Sequence, residues 1–173
     1  MKRAEDIEKS FNEAYEAYSD AIFRFCFFKI SDKEKAFDLA QETFVRLWNY
    51  LRTGDKEVDN VRAFLYKIAR NLIIDEYRKK STFSLDALRE GGFDVRMDGH
   101  KDIEFEVDAR EAIDAMYTLD ELYREVALLR FVEGLPPKDI AESLSLTENV
   151  VSVRLNRAVK KLRIILKVED ETQ

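Results

Sequence analysis

Phe11, Tyr15, Tyr18, Ile22 and Phe25 follow one another at steps of four, three, four and three. That rhythm fits 3.6 residues per turn and lines five apolar side chains along one face of a helix. It returns in Val61, Phe64, Leu65, Ile68 and Leu72, and again in Leu119, Leu122, Val126 and Leu129. A fourth stripe is Val151, Leu155, Ala158 and Leu162. With 5 Gly and 2 Pro in 173 residues, the turn-rich connections of a sandwich or barrel are not available. The chain is expected to be all-α.

Local signals punctuate the helices. The first runs near residues 7–30. Asp32 can cap a second over residues 33–51, which Gly54 stops, and Asn60 can cap a third over residues 61–80. Three long amphipathic helices make a bundle. Further on, Gly134 stops the segment that begins at Leu119, and Pro136 and Pro137 suit the start of a short helix with Ile140, Ala141 and Leu144. Thr147 can cap a last helix, with Glu148 well placed against its dipole. A short helix, a tight turn and a longer basic helix form a helix-turn-helix pattern.

Between these parts the composition changes. Residues 81–118 hold 10 acids against 4 bases, whereas residues 1–80 and 119–173 are nearly balanced. Three of the five glycines fall here too. The reading is two small helical domains, 1–80 and 111–173, joined by a flexible acidic linker over 81–110.

Although the chain has a net charge of −6, residues 149–167 contain six Lys or Arg and no acid. Around the last helix, Asn149, Ser152, Val153, Asn156, Arg157 and Lys160 lie opposite the apolar stripe, and Arg154 and Lys161 flank it. Such a helix, apolar inside and basic-polar outside, matches one that lies in the major groove of DNA. Arg and Lys neutralise phosphates, while Asn, Ser and Arg near the helix start can reach base edges. For Val153 a thymine-methyl contact and an idle surface position both stay open. The alternative for the whole face is docking on an acidic protein. The helix over 61–80 repeats the argument with Lys67, Asn71, Ile74 and Arg78 in one stripe. Tyr66 and Tyr77 are expected as exposed rings that stack on unpaired bases.

Several classes are disfavoured. One Cys and one His supply neither a zinc-ligand set nor a nucleophile with its base, so no metal, cofactor or enzymatic activity is expected. Cys26 lies in an apolar context and reads as a small buried hydrophobe in a reducing compartment. No apolar run reaches the ~18 residues of a membrane span, and the start is charged rather than signal-like.

The stretches "DLAQETFVRLW" and "VRAFLYKIARNLIIDEYRKK" resemble the second conserved region of sigma-70 family transcription initiation factors. The stretch from Leu119 to Leu166 resembles their fourth. With only a short linker between them, the chain resembles the extracytoplasmic-function (ECF) group. The resemblance implies a bacterial cytoplasmic protein, nucleoid-associated through RNA polymerase. Core polymerase would be held through its largest and second-largest subunits. Asp38, Gln41, Glu42 and Arg46 would meet the clamp helices of the largest subunit. The loop 52–60, with Asp55 and Lys56, would handle the −10 element together with Lys67, Asn71 and Arg78. The last helix would read the −35 element. An anti-sigma factor is an expected partner. The family usually has glycine where Ser145 stands, Lys-Ser where Ser152 and Val153 stand, and His or an aromatic at Asn156. A stand-alone helix-turn-helix regulator and a helical protein adaptor are the rival readings.

Overall fold

The computed structural model describes residues 4–54, 57–83 and 107–167. The chain divides into two compact units, Met1–His100 and Lys101–Gln173, and every regular element among the described residues is helical.

The first unit is built from α1 (Ala4–Ile30), α2 (Lys33–Thr53) and α3 (Val61–Phe83). Each boundary has a local cause. Glu5 and Asp6 favour the first turn of α1 by opposing its dipole. Ser31 ends that helix with φ 56°, and its N–H donates to the Phe27 carbonyl at 2.8 Å. An Asp32 oxygen then accepts the Lys35 N–H at 3.1 Å and opens α2. Gly54 closes α2 at φ 68°, and Asn60 accepts the Ala63 N–H at 3.0 Å to start α3. All three capping residues act as expected, because a cap depends only on neighbours three or four positions away.

The three helices pack around Ile22, Phe25, Cys26, Phe28, Leu47, Leu65, Tyr66 and Ile73, all essentially without solvent contact. Tyr66 meets Phe25 edge-on, with ring centroids 5.3 Å apart. The Tyr77 hydroxyl donates to the Lys29 carbonyl, and Lys35 Nζ lies 3.1 Å from Glu76 Oε1, tying α3 to the α1–α2 corner. The deepest packing is therefore at the C-terminal half of α1. Towards its start, Phe11 is half-buried and Tyr15 is exposed, so the expected core stripe begins as a surface feature.

In the second unit, α4 (Val107–Tyr117) precedes α5 (Glu121–Ala127), which runs into a π-helical turn over Leu128–Val132. The Glu133 N–H donates to the Leu128 carbonyl at 3.1 Å, five residues back, and Gly134 comes next at φ 68°. This widened turn coincides with full burial of the adjacent Leu128 and Leu129. Leu119 precedes α5 and is buried, whereas Leu122, in the first turn, is exposed. The continuous helix that the spacing assumed between them does not exist.

Next come α6 (Pro137–Leu144) and α7 (Glu148–Ile165). Pro137 opens α6, where its missing N–H costs nothing. Ser145 ends α6 at φ 55°, ψ 44°, the left-handed conformation that favours glycine. Thr147 Oγ1 accepts the Val150 N–H at 3.3 Å and caps α7. Val126, Leu135, Ile140, Val151 and Ala158 fill the core between these helices. The helices also reach three residues beyond 80 and begin four before 111, so both ends of the expected linker are helical; residues 84–106 lie outside the described residues.

Candidate nucleic-acid interface

The sequence of α7 gives it two unlike faces. Val151, Ala158 and Leu162 are buried and Leu155 is half-buried, which fixes the helix on the core. Asn149, Ser152, Val153, Asn156, Arg157 and Lys160 are all exposed, as expected for the opposite arc. Arg154 is half-buried on the flank. Lys161 is exposed, but its Nζ lies 5.4 Å from the centroid of the Tyr123 ring, so this ammonium faces back towards α5. The outer surface is not purely basic-polar. Val150 and Val153 are exposed near the helix start, and Ile164 and Ile165 near its end. Of these four only Val153 was expected on the outward arc; the exposure of Val150, Ile164 and Ile165 comes from the structure.

On α3, Lys67, Asn71 and Arg78 are exposed in one stripe, with Ile74 half-buried among them. Arg78 Nη1 is 3.9 Å from Asp75 Oδ1, a loose pair between two well-solvated groups. The expected stacking rings are not there. Tyr66 is 1% exposed and belongs to the core, and Tyr77 is half-buried with its hydroxyl committed to Lys29. Tyr66 joins the apolar face of α3 because α1 presents Phe25 to it. Asp55 and Lys56 lie outside the described residues. The segment after them, Glu57–Asn60, ends in the Asn60 cap.

On α2, Asp38, Gln41, Glu42 and Arg46 are exposed on one flank. Arg46 Nε lies 3.0 Å from Glu42 Oε1, an i,i+4 pair that holds both side chains along the helix surface. Beside them the structure opens a groove of about 700 Å³ between α1 and α2. Phe11, Tyr15, Gln41, Phe44, Val45 and Trp48 are among its lining residues. Phe11 meets Trp48 edge-on at 5.1 Å, and Tyr15 meets Phe44 at 4.9 Å. Phe37, 54% exposed, continues this surface beside Phe23. The sequence carried the signal: Phe37, Gln41, Val45 and Trp48 form a second stripe beside the buried Ala36, Ala40 and Leu47.

Cys26 is fully buried, and burial pushes its thiol up from 9.0 to about 12, so it stays protonated and unreactive. Among the described residues no group of three or more His, Cys, Asp or Glu could hold a metal ion. No described helix is long and apolar enough to cross a membrane.

Known proteins share this arrangement. The family pattern for Sigma-70 region 2 matches residues 14–83, and that for Sigma-70, region 4 matches residues 109–162. The first runs from Ala14 of α1 to the end of α3, and the second runs from within α4 to Leu162 of α7. The ECF RNA polymerase sigma factor SigX of Bacillus subtilis is 29% identical over 167 residues, 91% of this chain and 84% of that protein. The ECF sigma factor BldN of Streptomyces coelicolor is 28% identical over 160 residues, 91% of this chain but 60% of that protein. The sigma factor RpoE of Bartonella quintana, solved with the anti-sigma factor NepR, shares the fold. Its TM-score is 0.75 at 24% identity, covering 93% of this chain and 99% of that one. Two helical units with these matches, in this order, define a promoter-directing initiation factor for RNA polymerase. The chain belongs to the sigma-70 family, in its extracytoplasmic-function group.

Proposed function

We propose a division of labour among three exposed helix faces. The α2 flank of Asp38, Gln41, Glu42 and Arg46 docks on the clamp helices of the largest polymerase subunit. The neighbouring groove supplies apolar anchors through Phe37, Val45 and Trp48, since a charged flank alone binds weakly in water. The α3 stripe handles the −10 element: Lys67 and Arg78 hold phosphates, and Asn71 offers an amide to a base that has left the stack. Asp55 and Lys56 complete that role from the neighbouring loop. On α7, Asn149, Ser152, Val153, Asn156 and Arg157 face the bases of the −35 element, Arg154 and Lys160 serve its backbone, and Lys161, held at the Tyr123 ring, contributes less to it than Lys160. The protein works in the bacterial cytoplasm at the nucleoid. A second contact goes to the second-largest polymerase subunit, and an anti-sigma factor covers these faces when transcription is off.

One observation carries this reading: the exposed arc of α7 has no carboxylate from Asn149 to Ile165 while its opposite side is sealed in a core. In a chain with net charge −6, such a face selects a polyanion.

The experiment is reconstitution with core polymerase, followed by mapping of transcript starts. Defined starts should require the full chain, and Glu42→Lys should weaken core binding without changing helical content. Unchanged core affinity of that variant would remove α2 from the docking site. Asn71→Ala should relax base preference at one −10 position, whereas Arg157→Ala should alter which −35 sequences are used.

A further inference from the structure

Val150 and Val153 are 36% and 41% exposed in the first two turns of α7, among Asn149, Ser152 and Arg157. Valine is a poor choice for a partly solvated helix start: its branched side chain loses rotamer freedom there and recovers only part of the gain that full burial would bring. Single exposed apolar residues are ordinary. These two, however, stand three positions apart on neighbouring lines of one face. That spacing separates their Cβ atoms by roughly 5–6 Å.

Duplex DNA offers a matching pair of apolar groups. In the major groove only thymine presents a methyl, and apolar side chains are its natural contact. Bases on one strand are stacked ~3.4 Å apart, so methyls one or two steps apart are ~3.4–6.8 Å apart along the axis. The basic side chains around the valines choose the partner: Arg154 and Arg157 sit on the same part of the helix, and no acid occurs between Glu148 and Glu169. The Thr147 cap fixes the turn that carries Val150, so the pair is presented on a rigid element.

We propose that Val150 and Val153 form a two-point reader of thymine methyl groups within the −35 element. The inference rests on the assignment of α7 to that element and adds the chemical group that is read. It makes the −35 preference depend on methyls as well as on hydrogen bonds from Asn and Arg.

The test uses the full chain with core polymerase and a promoter selected from a library randomised at −35. Thymines at −35 are then replaced singly by deoxyuridine, which removes the methyl and keeps every hydrogen-bonding group. Open-complex formation by wild type should fall about fourfold per critical methyl, the equivalent of burying roughly one methylene. Val150→Ser and Val153→Ser should each become insensitive to one such replacement, and spacer thymines should show no effect. If wild type needs a defined −35 sequence yet tolerates every uracil, the methyl reader is wrong while the α7 assignment stands. If randomising −35 makes no difference at all, both fail.

Discussion

Lys161 Nζ lies over the ring of Tyr123, 5.4 Å from its centroid, and so links α7 back to α5 across the core they share. Its neighbour Lys160 is exposed on the outward arc, about 100° away around the helix. Lys160→Ala should lower the salt slope of promoter binding by about one, the mark of one lost phosphate contact. Lys161→Ala should lower it less and instead cost about 0.5–1 kcal/mol of stability. Salt titrations and denaturant melts of both variants check this. Equal slopes would mean that Lys161 leaves Tyr123 for the DNA.

Tyr66 and Lys67 make a second contrast between neighbours. Tyr66→Ala should destabilise the first unit by about 3–5 kcal/mol, because it empties a site wedged against Phe25. Lys67→Ala should leave stability nearly unchanged and weaken all promoters alike. Thermal unfolding beside open-complex assays separates the two. A stable Tyr66→Ala protein with defective melting would return Tyr66 to the DNA.

Ser145 holds φ 55° without being glycine. Ser145→Gly removes the Cβ strain of the left-handed region, ~1–2 kcal/mol, but adds backbone freedom to the unfolded chain. The net expectation is a gain of about 0.5–1 kcal/mol, read as a higher denaturant midpoint with unchanged slope. A lower midpoint would show that the serine side chain contributes more than its strain costs.

Cys26 sets a dependence on alkaline pH. Folding raises its thiol from 9.0 to about 12, chiefly by burial, against a smaller opposing effect of a backbone hydrogen bond. The folded state therefore keeps a proton that the unfolded state has released. The contribution to stability is whole below about pH 9 and is lost as pH rises towards 12. Stability of Cys26→Ala should fall less steeply than wild type in that window, by up to about 1.4 kcal/mol per pH unit. Near neutral pH the native thiol should resist alkylation and react only on unfolding. Rapid labelling of the native protein would contradict its burial.

The sequence alone determined whatever depends on near neighbours. Asp32, Asn60 and Thr147 cap where they were expected to because a cap bonds an amide three residues ahead, and Gly54 and Gly134 stop helices through their own φ. The polar flank of α2, the stripe of Lys67, Asn71 and Arg78, and the outward arc of α7 come from helical geometry in the same way. Tertiary packing decided how far each face is covered, since burial depends on which helix arrives from elsewhere. Spacing treated Tyr15, Leu122 and Tyr66 as two core residues and one surface ring. Packing exposed the first two, because the core deepens only past Ile22 and α5 starts after Leu119, and it buried the third beneath Phe25. The π-helical turn at Leu128, the bend of Lys161 onto Tyr123 and the groove between α1 and α2 belong to the same class. Each is a contact between segments far apart in sequence or off the regular helical period, and no local pattern encodes it.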